Sequence, residues 1–138
     1  MTTNQKSLVK ETFAKVVPIA DTAAALFYGR LFEMDPSLRP LFRTDIREQG
    51  KKLMQILGYC VGKLDELDEL VPAVKALGRK HAGYGAEEED YETVGGALLW
   101  TLEQGLGAAF TPEVKAAWTA VYELLAATMI EGAKSAAA

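Results

Sequence analysis

The chain has 138 residues, 49% of them hydrophobic and 25% charged, which suits one soluble globular domain with a substantial core. A net charge of −4 and a pI near 5.1 argue against nucleic acid or an anionic membrane as the main partner. Cys60 is the only cysteine, which excludes an internal disulfide, a thiolate cluster and a zinc ribbon.

The first residues, Met1–Lys6, lack the apolar core of a signal segment, and no apolar run approaches the roughly 20 residues that span a bilayer, so a soluble cytoplasmic protein is expected. From Asn4 to Val17 the residues Leu8, Val9, Thr12, Phe13, Val16 and Val17 recur at helical spacing. Pro18 closes that helix, because proline disfavours helical geometry in the residue before it. A second helix is expected from Ala20 to Met34, with Ala24, Phe27, Tyr28, Leu31 and Phe32 on one stripe. Asp35-Pro36 reads as an N-cap followed by proline at the first helical position, opening a short turn through Leu41, and Phe42 follows directly.

Asp45 and Glu48 have the spacing of a capping box and start a helix that runs to about Leu64, its apolar face carrying Leu53, Ile56, Leu57, Cys60 and Leu64. Asp65–Glu69 reads as a polar break, with Pro72 in the first turn of the helix that leads to His81. Gly83, Gly85 and the acidic run Glu87–Asp90 form the next connection, a solvated corner that also favours a helix N-terminus. A long helix follows from Tyr91 to Gly107 with Val94, Leu98, Leu99, Leu102 and Leu106 inward. Thr111-Pro112-Glu113 starts the last helix, where Ala117, Trp118, Val121, Tyr122, Leu125 and Met129 face inward, and the Ser135–Ala138 tail is expected to fray. About seven helical pieces make an all-α domain, and glycines at 95, 96, 105 and 107 point to close helix crossings.

The only histidine lies in Leu77-Gly78-Arg79-Lys80-His81-Ala82-Gly83-Tyr84. Leu77 sits one helical turn before the imidazole, and Arg79 and Lys80 put two cations beside it. Such a histidine can be a surface residue, a general base or a metal ligand. One His and one Cys cannot build an ordinary zinc site or a carboxylate-bridged di-iron site. Ser7, Ser37 and Ser135 lie in terminal or turn segments, which argues against a Ser-His-Asp site, and there is no phosphate-cradling glycine motif. A cofactor that needs a single protein ligand remains, with haem held by one proximal His as the leading example.

Leu77–His81, followed by Val94-Gly95, Leu98-Leu99 and Ala109-Phe110-Thr111-Pro112, resembles the proximal half of a globin, and Lys115–Thr119 with Tyr122 extends the likeness into the last helix. The chain is similar to single-domain bacterial globins, flavohaemoglobin globin domains and neuroglobins, from about Lys6 to Ile130. The resemblance implies a single globin domain over residues 1–138, a three-over-three helical sandwich around one haem b. It makes His81 the proximal iron ligand and places Phe42 against the haem face. Tyr28 takes the position of the distal tyrosine of bacterial globins, able to donate a hydrogen bond to bound dioxygen, and Gln49 takes the distal polar position. The alternative for Tyr28 is a buried ring satisfied by a neighbouring backbone group. Leu53 looks into the same distal pocket, one turn after Gln49. Lys52 matches a haem-propionate partner, with a solvated surface lysine as the alternative, and Leu57, Leu77, Tyr84, Tyr91, Val94 and Leu98 are candidate walls. Cys60 is expected to be a small core side chain.

Two departures from these families limit the function. Neuroglobins use a distal His as sixth iron ligand, and this chain has no second His. Flavohaemoglobins surround the ligand His with a Tyr and a Glu; Tyr91 matches the Tyr, but Ala133 stands at the Glu position and Glu131 lies two residues off. The expectation is therefore reversible binding of dioxygen, NO and CO, for storage, delivery or scavenging. A nitric-oxide dioxygenase or weak peroxidase served by a separate reductase is the second reading, and a haem-free globin-like sensor or interaction module the third.

Overall fold

The expected helices form, with ends shifted where capping chemistry overrides apolar periodicity. The computed structural model describes residues 2–42, 45–83 and 85–137. Six α-helices follow one another: α1 (Thr3–Val16), α2 (Ala20–Met34), α3 (Ile46–Gly62), α4 (Leu67–Gly83), α5 (Glu88–Leu106) and α6 (Pro112–Ala137). Short 3-10 turns at Val17–Ile19, Pro36–Leu41 and Gly107–Ala109 join them, and no strand occurs among the described residues. Helices α1, α3 and α4 stack over α2, α5 and α6, with α4 and α1 lying on α6 and α3 on α2. No helix is long and apolar enough to cross a membrane among the described residues.

Each shifted boundary has a local cause. The first helix starts at a full capping box in which the Thr2 hydroxyl accepts from the Gln5 N–H and the Gln5 side chain accepts from the Thr2 N–H. Asp45 caps α3 by accepting from the Arg47 N–H at 3.2 Å. Helix α4 begins earlier than expected, at Leu67, with Asp68 and Glu69 in its first turn, where carboxylates favour the positive end of the helix dipole. Pro72 consequently lies inside α4 rather than in its first turn, and Pro72 and Asp68 are both exposed, so the carbonyl that loses its donor belongs to a surface residue. The acidic run is not a separate corner. Glu87 caps α5, its N–H donating to Asp90 Oδ2 at 2.9 Å, and Glu88–Asp90 form the first turn. At the other end of the chain α6 continues through Ala137 instead of stopping before Ser135.

The core is one apolar cluster in which Val9, Leu31, Leu64, Leu70, Trp118 and Val121 are essentially inaccessible. A buried polar clamp within it joins α1 to α6. Trp118 Nε1–H donates to Thr12 Oγ1 at 2.8 Å, and the Thr12 hydroxyl donates on to the Leu8 carbonyl at 2.7 Å, so neither buried group is left unpaired.

The closest helix crossing is that of α4 with α6. A Cβ placed on Gly78 would meet the Met129 carbonyl oxygen at 2.0 Å, and one on Gly132 would meet the Lys75 carbonyl oxygen at 2.2 Å. Only two glycines allow the backbones to touch there. Gly95 does the same for α5 and α6 on a smaller scale, leaving room for the Tyr122 ring. The α4–α6 contact holds the second half of α4, and with it His81, at a fixed height over the core.

Candidate functional site

Between the two helix layers lies a cleft with about 1050 Å³ of empty space counted out to its solvent-open mouth. One wall comes from α2, the Pro36–Leu41 turn and α3, and carries Tyr28, Phe42, Leu53 and Leu57. The opposite wall comes from α4, α5 and α6, and carries Leu77, His81, Tyr91 and Val94. His81 is the one imidazole of the chain, half-buried in the last turn of α4. Its Nδ1 lies 2.9 Å from the Leu77 carbonyl oxygen. A carbonyl only accepts, so this contact places the proton on Nδ1 and leaves Nε2 with its lone pair.

Tyr28 is 5% exposed, and its hydroxyl donates to the Gln49 carbonyl at 3.3 Å. That is long against the roughly 2.7–2.8 Å of a strong hydroxyl bond. Burial pushes its pKa up to about 12, so it stays a neutral donor at physiological pH. Phe42 and Phe27 both meet the Tyr28 ring edge-on, at 5.4 Å and 5.0 Å, which restricts the ring's orientation in the wall. Across the cleft the Tyr122 hydroxyl donates to the Tyr91 carbonyl at 2.6 Å, tying α6 to α5, and burial raises both tyrosines above the usual range, Tyr91 with a further push from the Asp90 charge.

The globin family model matches residues 25–129, which spans the cleft and both of its walls. The chain belongs to the globin family. It is 28% identical over 141 residues to the neuroglobin of Danio rerio, covering 92% of this chain and 89% of that one. It is 31% identical over 121 residues to the neuroglobin of Chaenocephalus aceratus, covering 78% of this chain and 76% of the relative. Among solved structures it is similar to a hexacoordinated heme protein from an anhydrobiotic tardigrade, determined at pH 4, with a TM-score of 0.88 and 20% identity over 97% of this chain and 96% of that one.

Within this globin, eight of the residues singled out from the sequence meet at the cleft: Tyr28, Phe42, Leu53, Leu57, Leu77, His81, Tyr91 and Val94. Four others do not. Leu98, one turn beyond Val94 on the same face of α5, lies inside the core, where it is 6% exposed. Lys52 stands exposed on α3, outside the wall. Gln49 contributes the carbonyl that accepts from Tyr28, and its half-buried side chain is not in the wall. Tyr84 lies outside the described residues. Cys60 is buried as expected, yet it also reaches the cleft.

The sequence did not point to Leu31, Leu38 and Leu41 on one side, or to Leu125, Ala126 and Met129 of α6 on the other, as cleft residues. Spacing marks Leu31, Leu125 and Met129 as inward-facing, but periodicity alone cannot divide an inward face between packed core and open cleft. Asp90 is the one carboxylate among the described wall residues, placed there by its role in capping α5.

Proposed function

We propose that this globin holds haem through His81 and reversibly binds a diatomic gas, with dioxygen as the main ligand and NO and CO as others. The observation that carries this reading is the His81–Leu77 contact: Nδ1 is spent on a carbonyl, and the one free imidazole nitrogen belongs to a residue that lines an apolar cleft. The donor set fits haem. One neutral imidazole supplies the ligand, flat aromatic and aliphatic walls supply the surroundings, and no competing group of three His, Cys, Asp or Glu occurs among the described residues. A single cysteine cannot make a paired thioether attachment, which favours non-covalently held haem b. When bound, haem would supply an iron at which a diatomic gas can bind reversibly.

The chain's own residues then set selectivity. His81 fixes one face of the site through the Gly78–Met129 crossing three residues earlier. The Tyr28 hydroxyl, loosely held by the Gln49 carbonyl, is free to turn toward a gas bound in the cleft, and Leu53 and Phe42 make the wall beside it apolar. The Gln49 amide is proposed as a second donor and Lys52 as the partner of a haem carboxylate at the rim. A hydrogen bond of roughly 1–2 kcal/mol changes affinity about tenfold. Stopped-flow dioxygen dissociation from Tyr28→Phe is therefore expected to be about tenfold faster than from the unsubstituted protein; an unchanged rate would remove Tyr28 from the account.

The gas-binding role in storage, delivery or scavenging is favoured over a reductase-served nitric-oxide dioxygenase or peroxidase. Glu131, the nearest candidate for a proximal acid on α6, is largely exposed and lies 3.5 Å from Lys75, at the surface. Histidine hexacoordination does not carry over to this chain either, because His81 has no second histidine to oppose it.

A further inference from the structure

Neighbouring rings hold Tyr28 more firmly than its hydrogen bond does. At 3.3 Å the bond to the Gln49 carbonyl is too long to fix the hydroxyl, so the placement of the ring decides where the donor points. Besides Phe27 and Phe42, that ring has a third aromatic neighbour. Phe32, one helical turn later on α2, lies 6.0 Å away at an interplanar angle of 28°. Phe32 also meets Phe42 edge-on at 5.5 Å, so Tyr28, Phe32 and Phe42 close a triangle of rings. Tyr28 is the buried corner, and the two phenylalanines are half-buried.

One surface residue grips two corners of this triangle. Arg39 is exposed, and its guanidinium carbon lies 5.0 Å from the Phe32 centroid, inside the roughly 6 Å over which an aromatic face attracts a cation. Its main chain holds another corner, the Arg39 carbonyl accepting from the Phe42 N–H at 3.1 Å. The turn that carries it is stiff. Asp35 caps it by accepting from the Ser37 N–H at 3.1 Å, and it contains Pro36 and Pro40, the second of which restricts the backbone of Arg39 itself. A planar guanidinium is thus presented to the Phe32 ring from a fixed base. Neither Arg39 nor Phe32 lines the cleft, whereas Tyr28 and Phe42 both do.

We infer that Arg39 is a positioning residue for Tyr28: stacked on Phe32 and bonded to Phe42, it keeps the ring triangle closed and so sets how well the Tyr28 hydroxyl meets a gas bound in the cleft. The inference rests on the gas-binding reading above, with Tyr28 as the donor. Arg39→Ala keeps the carbonyl bond to Phe42 and removes the stacked cation. In the haem-loaded protein it should quicken stopped-flow dioxygen dissociation about threefold, the size of effect a surface cation–π contact can transmit. An unchanged rate, in a protein where Tyr28→Phe does release dioxygen faster, would overturn the inference. Arg39→Lys keeps the charge and loses the planar stack, so it too should release dioxygen faster; a rate equal to that of the unsubstituted protein would show charge acting at a distance and would overturn the positioning role. In a Tyr28→Phe background Arg39→Ala should add nothing, because the hydroxyl it positions is gone, and a full threefold effect there would equally overturn it. Aromatic NMR spectra of the full chain before haem addition give a second readout. The Tyr28 ring resonances should shift in Arg39→Ala while the Trp118 indole N–H stays in place, and unmoved Tyr28 resonances would overturn the inference whatever the rates. A Tyr28→Phe protein that keeps the unsubstituted rate would refute Tyr28 as the donor instead, and the ring shifts would still decide whether Arg39 holds Tyr28.

Discussion

Gly78→Ala is the substitution that strains this fold most directly. The added methyl would lie 2.0 Å from the Met129 carbonyl oxygen and 2.6 Å from the Met129 Cα, both backbone atoms that no rotamer change can move. Ordinary contact begins near 3.4 Å, so α4 and α6 must part by more than about 1 Å along their tightest seam. Overpacking of this kind costs about 1–3 kcal/mol, and a backbone clash belongs near the top of that range. Alanine returns up to about 1 kcal/mol of helix propensity, leaving a net loss of about 2 kcal/mol. With an unfolding entropy of about 2.1 cal/mol/K per residue, a chain of 138 residues loses about 3–4 °C of Tm per kcal/mol, so the expected drop is about 7 °C. Thermal unfolding followed by far-UV circular dichroism measures it, with Gly29→Ala as the control. Nothing lies within 4 Å of a Cβ at Gly29, an exposed position in α2, so that variant should gain about 0.5–1 kcal/mol and unfold a few degrees higher. A Gly78→Ala protein that unfolds at or above the temperature of Gly29→Ala would refute the reasoning. Because Gly78 is three residues before His81, the same variant should also perturb the absorption of the haem-loaded protein.

Thr12→Val removes the acceptor of the buried Trp118 N–H while keeping the volume, and should cost about 1–3 kcal/mol in urea unfolding, with Thr12→Ser close to the unsubstituted protein; equal midpoints for all three would show that the clamp contributes nothing. The tyrosines predict an alkaline limb. Tyr28 is held at about 12, and burial raises Tyr122 and Tyr91 too, against about 10 in the unfolded chain, so the folded state keeps protons that the unfolded state has lost. Stability should be full below about pH 10 and fall as the pH rises toward about 12, with a shallower fall in Tyr28→Phe; identical slopes for the two proteins would mean that Tyr28 ionises equally in both states.

The helices were legible because this chain places apolar residues at three-to-four spacing almost everywhere and interrupts them with proline and glycine. Their ends were less so. Pro72 looked like a first-turn residue because proline is favoured there, but the carboxylates of Asp68 and Glu69 start α4 earlier and exposure makes an interior proline tolerable. The acidic run before Tyr91 hid its capping box for a similar reason, since Glu87 is an uncommon N-cap and its partner Asp90 is also a cleft residue. His81, Tyr28 and Leu53 were identifiable from the family resemblance, and the structure brings them to one cavity. Leu98 shows where periodicity stops informing: the apolar stripe of α5 runs from the cleft at Val94 into the packed core at Leu98 without a change of pattern. The Gly78–Gly132 seam could not be read at all: it joins two positions far apart in the chain, and a glycine in a helix shows nothing of what its missing Cβ makes room for.

The account stands on His81 as the ligand of a bound haem. Addition of haem to the purified protein should produce a Soret band that shifts on reduction and again on exposure to CO, and His81→Ala, with the helical circular dichroism intact, should lose that band or return it with imidazole in solution. A folded His81→Ala protein whose haem spectrum and CO response match those of the unsubstituted chain would contradict it.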